Sequence, residues 1–201
     1  MISAKWRVKS QLGLTLVEAI IATAITAVLG ILLPIIIINS TNLFYKQTSK
    51  VEQGLGINDA LSKVRETIKE SNGIAASYPI SGPPTYTSAS SQVVLKVPAI
   101  DGSGNTVSNT FDYFVFFLDQ DKLRFKVFPD QIAPSARSAQ DQILSLNVLS
   151  LKFHYFNSAI PPAEVAPTSA TKVKITLSLK QKSGQDFETN IATSEANLRN
   201  D

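Results

Sequence analysis

Residues 19–38 read AIIATAITAVLGILLPIIII, twenty positions without a charge and with only Thr23 and Thr26 polar. A helix rises 1.5 Å per residue, so this run spans roughly 30 Å, the thickness of a bilayer's hydrocarbon core. Two other structures accommodate an apolar run: a helix buried inside a soluble protein, and the core of a secretory signal that is later removed. The first is disfavoured by four consecutive isoleucines and the lack of a polar face. The second usually has an apolar core of about 7–15 residues that ends in small side chains. This run is longer, and Asn39-Ser40-Thr41-Asn42 is a weak match to a cleavage region. The sequence therefore predicts a retained membrane-spanning helix.

The charges set its orientation. The chain has 201 residues, with 19 Lys+Arg against 16 Asp+Glu. Lys5, Arg7 and Lys9 lie in residues 1–13, which contain no acid; without them 16 basic residues face 16 acidic ones. The sequence pI near 9.1 thus describes the extreme N-terminus, and a broad basic face for nucleic acid loses its main support. By the positive-inside rule the short N-terminus stays cytoplasmic and the chain after Asn39 lies outside. Cysteine is absent, which excludes disulfides, Cys-ligated metals and thiol catalysis.

Glu18 stands at the edge of the apolar run. An acid at a helix centre costs about 2.5–3.5 kcal/mol on insertion scales, less near the interface, so the carboxylate calls for a cation. No Lys or Arg lies between Leu14 and Phe44. A cut between Gly13 and Leu14 would supply one, a free α-amino group in the same layer. That amine can meet Glu18 within one helix or, more usefully, the Glu18 of a neighbouring subunit.

A basic leader, Gly13 and the run LTLVEAIIATAI together closely resemble the class III signal of type IV pilins and pseudopilins. The resemblance implies cleavage after Gly13 by a membrane-embedded prepilin peptidase, N-methylation of Leu14 and a role for Glu18 in assembly. Most members carry Phe where this chain has Leu14. The implied partners are other pilins through their N-terminal helices, the peptidase, an inner-membrane assembly platform and membrane lipid. The implied location is the bacterial cytoplasmic membrane, with the head outside, and then a pilus or pseudopilus. Pro34 lacks an N–H for the carbonyl of Gly30, and Gly30 weakens the helix by about 1 kcal/mol relative to Ala. The pair reads either as a tolerated kink or, by resemblance, as a segment that unwinds during filament packing.

The helix is expected to continue along the stripe Val51, Leu55, Leu61, Val64, Ile68 and to stop at Asn72-Gly73. Residues 74–91, with three prolines and many hydroxyls, read as a loop. Strands are expected at residues 92–97, 110–118, 123–128, 143–156, 172–180 and 187–192, with a turn at 119–122 and a loop at 129–142. Leu149, Leu151, Phe153 and Tyr155 are expected on one face. The division is a leader at 1–13, a membrane and filament-core helix at 14–42, its amphipathic continuation at 43–73 and a β head at 74–201. The expected fold class is α+β and pilin-like, a long N-terminal helix packed on an antiparallel sheet. The head is similar to the minor pseudopilin J and minor pilin W group through VLSLKFHYFN, KVKITLSLK and the closing Leu198-Arg199-Asn200.

Nothing in the sequence assembles a catalytic constellation, and no enzyme activity is expected. His154, the single histidine, is expected to point away from Phe153 and Tyr155, and alone it makes neither a zinc site nor a triad. Asp101, Ser103, Asn105, Asn109 and Asp112 fall at oxygen-bearing positions that suit a turn or, as a second reading, a calcium loop; Thr106 stands where such a loop needs Gly. No other cofactor is expected. Phe111, Tyr113, Phe114, Phe116 and Phe117 lie on both faces of one strand and read as core plus subunit interface. Asp112 and Asp119 flank them, so nucleic acid is not an expected partner. The reading is a minor pilin or pseudopilin, a structural and assembly subunit of a type IV pilus or type II secretion pseudopilus. Its alternatives are a competence-type minor pilin whose head binds DNA or an adhesion target, and a membrane-tethered enzyme.

Overall fold

The structure, a computed structural model, describes residues 15–80, 83, 85–130, 135–183 and 186–199; side chains at 46, 49–55, 181–183 and 186 are not described. The fold is α+β. Helix α1 runs from Leu16 to Glu70 and continues through Pro34. The chain divides into two compact units, Met1–Tyr45 and Lys46–Asp201, and α1 contributes to both.

In the first unit every described side chain is exposed. The two hydroxyls of the run bond within the helix, Thr23 Oγ1 to the Ala19 carbonyl at 2.7 Å and Thr26 Oγ1 to the Ala22 carbonyl at 2.8 Å. This i−4 bonding satisfies each hydroxyl without water, as a polar group in hydrocarbon requires.

In the second unit the helix becomes one-sided. Ile57, Ala60, Leu61, Val64 and Ile68 recur every three or four residues and are buried in one core. At roughly 1.5–3 kcal/mol per fully buried Leu, Val or Ile, this stripe is what fixes the helix to the sheets. Leu61, Val64 and Ile68 are the expected residues; the side chains of Val51 and Leu55 lie outside the described set. The helix ends two residues before the expected stop. Ser71 closes it, its N–H and Oγ both donating to the Ile68 carbonyl, and the Asn72 N–H already donates to Lys96.

The strands are β1 (Gly73–Ile74), β2 (Ser77–Tyr78), β3 (Tyr86–Thr87), β4 (Gln92–Ile100), β5 (Thr106–Asp119), β6 (Lys122–Phe128), β7 (Gln140–Ser145), β8 (Val148–Phe156), β9 (Lys172–Ser183) and β10 (Asp186–Asn197). They form a five-stranded sheet ordered β1-β4-β5-β6-β7, a three-stranded sheet ordered β10-β9-β8 and the two-stranded ribbon β2-β3. All of the described pairings are antiparallel. Alternation explains both sides of the larger sheet. Leu95, Phe116 and Phe125 point to the helix, while Val94 and Val115 point the other way into a second, smaller cluster. There the rings of Tyr78 and Phe128 stack at 4.4 Å and those of Tyr86 and Phe117 approach at 5.3 Å. The β2-β3 ribbon is therefore the cover of the sheet's outer face.

Three expectations change. Residues 74–91 are not wholly loop, because Tyr78 and Tyr86 supply apolar surface that the ribbon buries. The run 143–156 is two strands in two sheets, divided at Leu146-Asn147, where Asn147 takes a φ of 57°. Leu149 does not share the buried face of Leu151, Phe153 and Tyr155. The register shifts between Val148 and Ser150, so Val148 is buried and Leu149 is 56% exposed.

Candidate functional site at the apolar helix

The site assembles at the first turn of α1. Thr15 precedes the helix and Glu18 lies in its opening turn. The Thr15 N–H and hydroxyl both donate to Glu18 Oε2, at 2.9 and 3.0 Å, and the Glu18 N–H donates to Thr15 Oγ1 at 3.3 Å. This is a reciprocal capping box, which satisfies amide donors that a helix start otherwise leaves open. The sequence pattern Thr-x-x-Glu carries that signal, and the sequence reading overlooked it in favour of the charge alone. Both contacts use Oε2; Oε1 has no hydrogen bond among the described residues.

Behind this cap, Leu16–Tyr45 is a helix long and apolar enough to cross a membrane, and none of its apolar window is buried. Thirty residues extend about 45 Å, the bilayer with its headgroup layers. Glu18 is its only charged residue. Side chains such as Ile20 and Ile37 are each about 60% exposed. Gly30 and Pro34 lie one turn apart in unbroken helix, and a Cβ added at Gly30 would meet nothing within 4 Å. Gly13 and Leu14, the expected cleavage junction, lie outside the described residues.

The oxygen-bearing residues of the calcium reading do not converge. Asp101 Oδ1 accepts from the amides of Ser103 and Asn105, both at 2.9 Å, forming an Asx turn between β4 and β5. These amide bonds, that of Asn105 first, hold the Asp101 carboxyl below its ordinary value. Asn109 takes a φ of 57° at the irregularity in β5. Asp112 lies further along β5, opposite Val97, wholly buried and facing Ser135 and Arg137 rather than the turn. Among the described residues no group of three His, Asp or Glu could hold a metal ion.

His154 points away from buried Phe153 and Tyr155, its Nδ1 3.0 Å from Glu164 Oε1 at the surface. The aromatics of β5 divide as the strand alternates: Phe114 and Phe116 enter the main core, whereas Tyr113 and Phe117 pack beneath the β2-β3 ribbon. Phe111 is half-buried at the sheet's end. No protein-family model matches this chain, and no curated protein sequence matches it.

Proposed function

We infer that this protein is a minor pilin or pseudopilin, a structural and assembly subunit of a type IV pilus or type II secretion pseudopilus. It enters the cytoplasmic membrane as a precursor, loses residues 1–13 to a prepilin peptidase, and becomes N-methylated at Leu14. The observation that carries this reading is Glu18, the one charge of the otherwise apolar, exposed helical segment Leu16–Tyr45, placed five residues after Gly13. An uncovered apolar helix calls for lipid or for other helices, and a filament core supplies the second when the first is left behind. A carboxylate in that setting calls for a cation, and the Leu14 amine of a neighbouring subunit is one that processing creates.

Glu18 Oε1 is the atom that would accept from that amine, with Oε2 held by Thr15. The packing of the second half of α1 on antiparallel strands suits a head carried by such a helix.

The test is co-expression with an active prepilin peptidase and its assembly platform. Intact mass should show the loss of residues 1–13 and the gain of one methyl group. Glu18→Ala should be cleaved and inserted yet absent from sheared filaments. Retention of the leader in the presence of active peptidase would overturn the reading.

A further inference from the structure

The face of the three-stranded sheet turned away from the core has a composition that the assembly role does not use. Val173, Ile175, Leu177 and Leu179 fill the buried side of β9, so its alternate residues turn to the opposite face, where Ser178 is buried against Ser150. Strand register then sets out rows across the sheet: His154, Lys174 and Glu195; Lys152, Thr176 and Thr193; Ser150, Ser178 and Ile191; Lys180 and Thr189. Lys172 lies at one end, and Phe187 at the other, its ring 4.3 Å below the Lys180 ammonium.

Four lysines thus share a face on which two carboxylates stand at one end among the described residues, Glu195 and, beside His154, Glu164. Glu195 bridges Lys172 and reaches Lys174 at 4.0 Å. No carboxylate pairs with Lys152 or Lys180 among the described residues. Beside them, on edge strand β10, stand two large apolar side chains, Phe187 at 62% exposure and Ile191 at 68%. Cationic heads around exposed apolar side chains form the pattern of a surface that rests at a lipid interface.

We propose that this face docks on anionic lipid headgroups, with Lys152 and Lys180 meeting phosphates and Phe187 and Ile191 entering the acyl boundary. Charge complementarity selects an anion, and the apolar pair selects lipid over a polynucleotide. A single-strand binder stacks successive bases on several rings, whereas the described residues of this face present the Phe187 ring at one end and the His154 imidazole, paired with Glu164, at the other, and no arginine. The proposal rests on the reading that Leu16–Tyr45 sits in a bilayer, because an anchor on the same chain raises the effective concentration of lipid at the head. Docking of this kind keeps an unassembled head at the lipid surface until protein contacts replace it.

The test uses the full chain in proteoliposomes. Trp6 is the only tryptophan, so Trp6→Phe gives a silent background for a reporter at Phe187→Trp, with Phe44→Trp as the anchor control. In anionic vesicles with brominated acyl chains, emission at position 187 should fall about twofold or more, since interfacial side chains sit about 5–10 Å into the headgroup and acyl boundary. The quenching should be absent in zwitterionic brominated vesicles, and should be relieved by molar salt or by Lys152→Glu with Lys180→Glu. Position 44 should be quenched in all of them.

Quenching at 44 but not at 187 overturns the docking and leaves the anchor standing. Quenching at neither overturns the anchor reading and the docking with it. A response at position 187 to a single-stranded oligonucleotide, without bromine quenching, assigns the face to nucleic acid and overturns the lipid proposal.

Discussion

The carboxylate of Asp112 is wholly buried, and the guanidinium of Arg137, 25 residues later, reaches its Oδ2 at 2.7 Å. The same oxygen accepts from Ser135 Oγ at 2.8 Å, and Oδ1 accepts from the Asp130 amide at 3.0 Å. Arg137 also donates to the Pro98 carbonyl and lies 5.5 Å over the Phe114 ring. A buried acid with three donors is a satisfied acid. It fastens the segment between β6 and β7 to β4 and β5, and it explains why the carboxylate is unavailable to the Asp101 turn.

Breaking this pair should cost unequally. Arg137→Ala leaves a carboxylate with no exposure and should lower stability by about 3–5 kcal/mol. Asp112→Ala leaves a guanidinium whose side chain is 23% exposed and can rehydrate, so about 1.5–3 kcal/mol is expected. The double variant should lose less than the sum. Urea unfolding of the detergent-solubilised chain, followed by near-UV circular dichroism, measures all three, and additive losses would refute the coupling.

Tyr155 ties the two larger sheets together. Its hydroxyl lies 2.7 Å from the Ala89 carbonyl and 3.2 Å from that of Gln92, and burial pushes its pKa above the ordinary 10. Because the folded value is the higher one, this contribution is complete below pH 10 and is lost as the pH rises beyond it. Tyr155→Phe should cost about 1–2 kcal/mol at neutral pH by taking the hydroxyl donor from the Ala89 carbonyl, while the Gln92 carbonyl keeps the Ala89 N–H. It should also flatten, without abolishing, the alkaline fall in melting temperature. Tyr78 and Tyr113 keep part of that fall, since burial first and the charge of Asp130 second raise them too.

What the sequence disclosed follows from how local each signal is. The uncharged run ending in IIII and the spacing of Leu61, Val64 and Ile68 need no knowledge of partners, and the helix and its stripe stand where expected. The break at Leu146-Asn147 was hidden because ILSLNVLSLKF alternates across it, and only the sheets on either side require the chain to turn there. Leu149 leaves the buried face because a bulge reverses the alternation, and its one mark in residue types is the adjacent apolar pair Val148-Leu149. The β2-β3 ribbon was masked by its prolines and hydroxyls, with Tyr78 and Tyr86 as its one apolar signature. The capping box is legible in the local pattern Thr15-x-x-Glu18, which needs no partner outside the chain, whereas the charge of Glu18 in an apolar run does.

Asp101 should respond to acid through its turn. Its folded pKa lies below the unfolded value of 3.8, held there by the amides of Asn105 and Ser103, so folding favours the ionised form. That stability is fully present above the unfolded value and is lost as the pH falls through the lower folded one. Asp101→Asn keeps an oxygen for both amides yet cannot ionise. Its melting temperature at neutral pH should match the parent closely, while the fall below about pH 4 should become shallower. An unchanged acid slope would show that the turn carboxylate does not contribute.

Glu18 has two separable duties, and one conservative change divides them. Its Oε2 caps the helix through Thr15, a task that glutamine at the same position performs equally well in a capping box. Its charge is what would neutralise the amine of a neighbouring Leu14, and glutamine has none. Glu18→Gln should therefore insert with its first helical turn intact and still fail to enter filaments, as Glu18→Ala does. Thr15→Val reverses the loss, since the charge stays and the cap goes. Capping losses run at about 0.5–2 kcal/mol, so this variant should fray the first turn yet still assemble. Amide exchange at residues 16–19 in micelles reads the cap, and shearing of assembled filaments reads the charge. Wild-type filament yield from Glu18→Gln would reduce Glu18 to a helix cap and remove the charge-pairing step from the assembly model.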